Sequence, residues 1–115
     1  MKCVVEQHEG FTIVRIEGRI DIGDGDIKLR HGVREAALFD CPGIILDFTK
    51  VTYMDSSGIG ELVSIYSELQ KSGKNMCLAH LNAKIYDLMT LTQLIAVLPV
   101  FDSVEDAMMT MIKAA

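Results

Sequence analysis

The sequence predicts a single α/β domain, with a mixed sheet of about five strands and about four helices. Its 115 residues are enough for one hydrophobic core but not for two. Two β-prone segments lie close together near the start, which favours an antiparallel hairpin. Beyond residue 43, strand-like and helix-like segments alternate, and this order is typical of parallel strands joined by right-handed crossovers.

The predicted hairpin comprises residues 3–6 and 11–17, which are rich in β-branched side chains. A tight turn at residues 8–10 connects them and makes the two strands antiparallel neighbours. After the second strand, the chain is expected to leave the sheet at residues 18–21.

A first helix is predicted after a polar, glycine-bearing turn. Either Asp24 or Asp26 is placed to cap this helix, which is expected to continue to about Phe39. A Cys-Pro-Gly break then ends the helical pattern. The third strand is predicted at residues 43–48, the most apolar strand-like segment of the chain.

The second helix is predicted from the most regular pattern in the sequence. After Gly58, apolar residues recur at helical spacing and define one buried stripe: Ile59, Leu62, Val63, Ile65, Tyr66 and Leu69. Polar residues, including Glu61, are expected mostly on the opposite side. The helix is expected to end near Ser72 and Gly73, because glycine readily adopts the left-handed conformation that terminates helices.

The last third of the chain predicts two more strands and two more helices. Residues 75–80 form the fourth strand, and Asn82 is placed to cap the third helix. Residues 98–101 form a short fifth strand at an edge of the sheet, because the proline within it cannot donate to the ladder. Asp102 and Glu105 have the spacing of a capping box and are expected to start the final helix.

Composition and charge exclude several functions. The formal net charge is −5, from 11 basic and 16 acidic residues, and no Lys/Arg cluster contains aromatic residues. Direct nucleic-acid binding is therefore not expected. No apolar run approaches the ~20 residues of a membrane span, and the N-terminus lacks the apolar segment of a signal peptide. We expect a cytoplasmic protein with reduced thiols at Cys3, Cys41 and Cys77.

Residue patterns give little support to enzyme or metal sites. The strand-to-helix turn at Ser56 resembles a nucleophile elbow, but G-x-S-x-G is absent and no histidine has triad context. If Asp21 began an EF-hand loop, the ligand positions 3 and 12 would be Gly23 and Gly32. The glycines of the second helix are not followed by the lysine that a P-loop requires. We expect no enzymatic activity, metal or cofactor.

Two serines, Ser56 and Ser57, lie between the third strand and the second helix. Backbone N–H groups in a first helical turn lack intrahelical partners, and the helix dipole favours negative charge there. A serine at such a position can cap the helix, act as a nucleophile or accept a phosphate. The spacing of the residues leaves these alternatives open.

The segment YMDSSGIG at residues 53–60 resembles the signature of bacterial anti-sigma-factor antagonists, the stand-alone members of the STAS domain family. Residues 15–21, RIEGRID, are similar to the family's strand that ends in Gly-x-Leu-Asp. Residues 44–48 resemble its central strand, and residues 103–107 resemble the start of its last helix. Because these blocks also have the family's order and spacing, the resemblance implies a STAS domain that spans residues 1–115.

The resemblance implies a binding protein that is switched by phosphorylation. Ser56 corresponds to the family's phosphorylation site. The dephosphorylated protein binds an anti-sigma factor, itself a serine kinase, and a sigma factor is thereby released. The kinase phosphorylates the antagonist and ends the association, and a separate serine phosphatase resets it. The implied partner-binding residues are Asp21, Asp55, Ser57, Gly58 and Gly60.

STAS domains also occur in signalling assemblies and beside membrane transporters, so a scaffold or accessory role without a phosphorylation cycle stays open. The chain departs from the family at two places. Asp24 replaces a threonine that often caps the first helix, and Gln93 replaces the glycine of a common Ser-Gly-Leu segment. The second change affects the loop before the fifth strand and leaves the implied phosphorylation site intact.

Overall fold

The computed structural model describes residues 1–8 and 10–114, with side chains to Met111. The strands are β1 (Lys2–His8), β2 (Phe11–Ile20), β3 (Gly43–Met54), β4 (Asn75–Ala79) and β5 (Val100–Phe101). The helices are α1 (Gly25–Ala37), α2 (Ser56–Lys71), α3 (Ala83–Leu91) and α4 (Val104–Ala114), and a short 3-10 helix, Leu94–Ala96, follows α3. Of the helices described, none is long and apolar enough to cross a membrane.

The five strands form one sheet in the order β1-β2-β3-β4-β5. β1 pairs with β2 in antiparallel orientation, and each later pair of neighbouring strands is parallel. The predicted fold class is therefore confirmed, and β5 lies at an edge of the sheet as predicted. The predicted turn at residues 8–10 includes Glu9, which lies outside the described residues.

β2 and β3 are longer than predicted. The chain does not leave the sheet at residues 18–21, because β2 continues to Ile20, which pairs with Met54 at the end of β3. Both side chains are buried in the main core, and two shifts in register accommodate the longer pairing. Burial, rather than local β-propensity, thus extends both strands to the edge at which α1 and α2 begin.

β4 and β5 are shorter than predicted. β4 ends at Ala79 because His80 adopts a left-handed backbone conformation, with φ of 61°. β5 comprises only Val100–Phe101, although the Pro99 carbonyl still accepts a hydrogen bond from Leu78 N at 2.9 Å. Gln93, where the family often has glycine, also has a left-handed φ of 63°. This loop therefore holds a non-glycine residue in a conformation that costs roughly 1 kcal/mol.

Helices cover the two faces of the sheet unequally. α1, α2 and α3 pack on one face over the larger core, to which β3 contributes Leu46 and Phe48. α4 packs on the other face against Ile45, since successive side chains of a strand point to opposite faces. Beyond α4, that face carries the exposed Val4 and several polar side chains, among them the ion pair between Arg15 and Asp47, at 2.6 Å. The main core therefore lies beneath α1 and α2.

Ion pairs join α1 and α2 along their shared edge. Arg30 donates from Nε and Nη2 to the two carboxylate oxygens of Glu61, each at 2.6 Å. Arg34 pairs with Glu68 at 3.3 Å. Glu61 is only 8% exposed, so the expectation that it faces solvent is wrong. The guanidinium of the neighbouring helix neutralises the buried carboxylate and offsets its desolvation cost.

The C-terminus of α2 and the N-terminus of α3 lie where the sequence predicted them. Gly73 follows α2 with φ of 78°, and its N–H donates to the Gln70 carbonyl at 3.1 Å. Asn82 caps α3, because its Oδ1 accepts a hydrogen bond from Ile85 N at 2.9 Å. α1 ends at Ala37, two residues before the predicted Phe39.

The cap of α4 differs from the predicted one by one residue. Ser103 occupies the cap position, and its Oγ accepts a hydrogen bond from Asp106 N at 3.0 Å. Asp102 therefore lies outside the helix, and the capping box predicted between Asp102 and Glu105 is wrong. The acidic residue that follows the true cap at the correct spacing is Asp106, which is shorter than the glutamate of a capping box.

Leu62 and Val63 are adjacent on α2 and provide a matched test of the packing. Leu62 is fully buried, whereas Val63 is 36% exposed, contrary to its predicted place in the buried stripe. We expect Leu62→Ala to lower the free energy of unfolding by about 2–5 kcal/mol, because it leaves a cavity. Val63→Ala should lower it by less than about 1 kcal/mol. Urea denaturation measures both values, and equal losses would contradict this packing.

Candidate functional site

The candidate site lies where β2 and β3 end side by side. Parallel strands bring their carboxyl ends to one edge of a sheet, where α/β domains commonly bind ligands. Asp55 N donates a hydrogen bond to the Ile20 carbonyl at 3.3 Å, which joins the β3–α2 junction to the start of the β2–α1 loop. The six site residues implied by the sequence all lie on this loop, at this junction or in the first two turns of α2.

Asp55 is the N-cap of α2. Its Oδ1 accepts a hydrogen bond from Gly58 N at 3.0 Å, and its Oδ2 accepts one from Ile22 N at 3.2 Å. One carboxylate therefore satisfies a donor of the first helical turn and also holds the β2–α1 loop. Of the alternatives left open by the sequence, a capping role for Ser56 or Ser57 is wrong, because both lie inside the helix.

Ser56 is the first residue of α2, and its side chain is exposed. Within residues 1–8 and 10–111, no side chain or backbone group forms a hydrogen bond with its hydroxyl. The hydroxyl lies at the positive end of the helix dipole, which favours an anion by roughly 0.3–1 kcal/mol at an exposed position. This hydroxyl can therefore be reached from solvent and can carry an anionic group without a change in the core.

Ser57 is half-buried, and its hydroxyl donates to Asp26 Oδ2 on α1 at 2.8 Å. The other oxygen of Asp26 accepts hydrogen bonds from Gly23 N at 3.1 Å and from Ile27 N at 2.8 Å. The hydrogen bond from Ser57 is the main cause that holds the pKa of Asp26 below its ordinary value. Desolvation opposes this lowering of the pKa, and the two backbone N–H groups and Arg30 reinforce it. Asp26 therefore remains an anion opposite Ser57.

Asp24 and Asp26 were both candidates for the N-cap of α1. Asp24 occupies the N-cap position of α1, but its side chain makes no capping hydrogen bond. It pairs instead with Lys28 at 3.4 Å and with the N-terminal amine of Met1 at 3.7 Å. Asp26 was predicted only as a possible cap, and nothing in its spacing indicated a contact with α2, because that contact depends on how α1 and α2 pack.

The two glycines of the implied partner-binding set occupy different environments. Gly58 is buried, and a Cβ there would lie 2.6 Å from the Ile20 carbonyl oxygen and 2.8 Å from Met54 Cγ. Gly60 is exposed, and a Cβ there would meet nothing within 4 Å. Gly58 thus allows α2 to approach the ends of both strands closely. Only Gly60 lies on the outer surface.

Two large exposed side chains, Ile22 and Tyr53, lie on the segments next to the exposed serine. Ile22 is 76% exposed, and it is placed beside α2 by the hydrogen bond of its N–H to Asp55. Tyr53 is also exposed, and the guanidinium of Arg19 lies 4.1 Å from the centre of its ring. Arg19 in turn pairs with Asp21 at 3.1 Å. Ile22 was not among the predicted site residues, although an isoleucine within a polar turn and outside any buried stripe was a usable signal.

The fold and the site together define a small α/β domain that presents a serine hydroxyl at the start of a helix, beside a partly apolar surface. The family model of the STAS domain matches residues 2–107, nearly the whole chain. This chain therefore belongs to the STAS domain family, as its motifs implied.

Several known proteins are similar to this chain over most of its length. The anti-sigma F factor antagonist of Paenibacillus polymyxa is 26% identical over 108 residues, which cover 94% of this chain and 92% of that protein. An anti-sigma factor antagonist from Mycobacterium paratuberculosis has a similar structure, with a TM-score of 0.84 and 22% identity, over 95% of this chain and 92% of the other.

Two further structures indicate the range of proteins that share the fold. The phosphorylated form of SpoIIAA, a Bacillus cell fate determinant, matches with a TM-score of 0.71 and 19% identity, over 96% of this chain and 99% of the other. A sulfate transporter family protein from Wolinella succinogenes matches with a TM-score of 0.73 and 23% identity, over 85% and 81% of the two chains. At these identities, the structural matches show a common fold alone.

Gly58 and Gly60 allow a matched test of the close approach of α2 to the sheet. We expect Gly58→Ala to lower the free energy of unfolding by about 1–3 kcal/mol, because its Cβ would overlap backbone and core atoms. Gly60→Ala should raise it by roughly 0.5–1 kcal/mol, because alanine favours the helix and has open space there. Thermal unfolding of both variants measures the difference; a tolerated Gly58→Ala would contradict the geometry.

Asp55 can be tested by removing both of its hydrogen bonds or only the one from Ile22. Asp55→Ala should lower the free energy of unfolding by about 1–2 kcal/mol, since it removes the helix cap. Asp55→Asn can keep the cap through Oδ1, but its amide cannot accept the hydrogen bond from Ile22 N. We expect faster amide hydrogen exchange at Ile22 in both variants and a smaller loss of stability in Asp55→Asn. Slow exchange at Ile22 in Asp55→Asn would disprove the link to the loop.

Proposed function

We propose that this protein is an anti-sigma factor antagonist whose partner binding is switched by phosphorylation of Ser56. In the dephosphorylated form it binds an anti-sigma factor that is also a serine kinase, and it thereby releases a sigma factor in the cytoplasm. The observation that carries the proposal is the exposed Ser56 hydroxyl at the start of α2, beside exposed Ile22 and Gly60. The names of two similar proteins, both anti-sigma factor antagonists, support it.

The surface around Ser56 suits a partner that is excluded by a phosphate. Ile22 offers apolar area for a partner to bury, and Gly60 offers a place where a partner backbone can come close to α2. A phosphate on Ser56 would add about −1.5 to −2 charge and three strongly hydrated oxygens. A partner that covers this patch would then have to desolvate the phosphate. Loss of binding therefore follows from charge and bulk at the surface.

The fold should tolerate this phosphate. α2 buries Ile59, Leu62, Ile65 and Leu69 in the core. At roughly 1.5–3 kcal/mol for each side chain, this burial contributes about 6–12 kcal/mol before entropy is subtracted. Repulsion from the neighbouring carboxylates is smaller at an exposed position and is partly offset by the helix dipole. The buried Glu61 adds little to it, because Arg30 neutralises its charge.

In this proposal the protein is a substrate and binding partner, not an enzyme. Catalysis of phosphoryl transfer belongs to the partner kinase, and a separate serine phosphatase restores the hydroxyl. The competing proposal is a scaffold or an accessory subunit of a signalling or transport complex, and the similarity to a sulfate transporter family protein supports it. The two proposals differ in one observable respect, since only the first requires phosphate turnover on Ser56.

Two variants of Ser56 test the switch. Ser56→Asp should weaken binding to a purified anti-sigma factor serine kinase from the same cell by at least about tenfold, the equivalent of 1.4 kcal/mol. Its circular dichroism and melting temperature should stay near wild type, because the side chain is exposed. Ser56→Ala should bind normally and remain bound when ATP is added. A loss of fold in Ser56→Asp would refute a surface switch.

Mass spectrometry of the protein from its native cell separates the two proposed functions. We expect a fraction of the peptide that contains residues 55–60 to carry one phosphoryl group, located on Ser56 by fragmentation. Protein that stays unmodified in every growth phase, while it co-purifies with a transporter or signalling assembly, would favour the scaffold.

A further inference from the structure

The hydroxyls of the two adjacent serines at the start of α2 lie in different environments. Ser56 Oγ is exposed to solvent, whereas Ser57 Oγ donates to Asp26 Oδ2 at 2.8 Å across the boundary between α2 and α1. The family resemblance implies Ser56 as the phosphate acceptor, but the sequence gives no physical reason why Ser57 is not used. The tertiary structure makes them chemically unequal.

The Asp26 carboxylate is fixed in this position. Its Oδ1 is held by the N–H groups of Gly23 and Ile27, so Oδ2 remains directed at Ser57. One turn further along α1, Arg30 is engaged by both oxygens of Glu61. The same bidentate pair ties α1 to α2 and keeps the carboxylate and the Ser57 hydroxyl together.

We propose that Asp26 is a positioning residue that decides which serine is phosphorylated: it withholds Ser57 from the kinase and leaves Ser56 as the acceptor. This inference rests on the proposed function, because it concerns the regulation of the same site. Asp26 would have this role although it lies on α1 and the serines lie on α2.

The chemistry of phosphoryl transfer explains the selectivity. In the reaction with ATP, a serine Oγ forms a bond to the γ-phosphorus, and the bond from that phosphorus to the β–γ bridging oxygen breaks. ADP leaves with the bonding electrons, and the hydroxyl proton passes to a base of the partner kinase. Ser57 Oγ must first turn away from Asp26 and give up its hydrogen bond, whereas Ser56 Oγ is available without any rearrangement.

The product of the reaction also disfavours Ser57. A phosphate on its Oγ would place about −1.5 to −2 charge next to a carboxylate that now lies 2.8 Å away. The two anions would repel each other within a half-buried boundary, where solvent screens them less than at the surface. Relief would require the phosphoserine side chain to turn away from Asp26, or α1 and α2 to separate against the pair between Arg30 and Glu61. A phosphate on Ser56 projects into solvent.

The first arm of the test uses ATP and a serine kinase that labels the wild-type chain, with Ser56→Ala as the background. We expect Ser56→Ala to stay unlabelled and the double variant Ser56→Ala/Asp26→Asn to be labelled on Ser57. Asparagine keeps an oxygen for Gly23 and Ile27 but removes the charge. Asp24→Asn in the same background is the control, because it removes an equal charge from a neighbouring residue that contacts neither serine; it should stay unlabelled.

The second arm needs no kinase. Phosphoserine is incorporated during translation at position 56 or at position 57 of the full chain, and thermal unfolding is measured. We expect phosphoserine at 57 to lower the melting temperature by roughly 4–8 °C. Phosphoserine at 56 should leave it within about 2 °C, and Asp26→Asn should restore most of the loss at 57.

The two arms distinguish the failure of this inference from the failure of the proposed function. If no serine of the wild-type chain is labelled by any serine kinase of its cell, the proposed function fails, and the second arm still decides whether Asp26 opposes a phosphate on Ser57. Equal melting temperatures for the two phosphoserine proteins would overturn the inference. Labelling of Ser57 in Ser56→Ala with Asp26 intact would also overturn it.

Discussion

The site depends on the two hydrogen bonds of one carboxylate. Asp55 caps α2 through Gly58 N and holds the β2–α1 loop through Ile22 N, at 3.0 and 3.2 Å. Neither segment could set the position of the other through local structure, because they are more than thirty residues apart in the chain. The same side chain therefore exposes Ser56 at the start of the helix and places the apolar Ile22 beside it.

α2, which carries these contacts, is held in place by its packing against the sheet and against α1. α2 lies close to the ends of β2 and β3 because Gly58 has no side chain to hold it away from the Ile20 carbonyl. The buried pair between Arg30 and Glu61 fixes the helix laterally against α1. The helix that carries the exposed hydroxyl is therefore held by apolar packing and by an ion pair whose charges cancel. Charge added at the hydroxyl weakens neither of these contacts. This packing is the reason we expect phosphorylation of Ser56, as proposed, to leave the fold unchanged.

The sequence predicted most of the fold because its signals are local and periodic. The buried stripe of α2, the glycine stop at Gly73 and the Asn82 cap each depend on residues within one or two helical turns. Its errors arose where a tertiary contact overrides the local pattern. β2 continues to Ile20 because that side chain is buried under α2, and Glu61 is buried because an arginine of another helix reaches it.

By itself, the sequence determined the order of strands and helices, the family and the pair of serines at the start of α2. Motif spacing and apolar periodicity carry this information along the chain. Only the tertiary structure decided that Asp55 is the cap, that Ser56 is exposed and that Ser57 is bound by Asp26. Those distinctions depend on how α1 and its preceding loop pack against α2. Contacts between segments so distant in the chain leave no local sequence pattern from which they could be predicted.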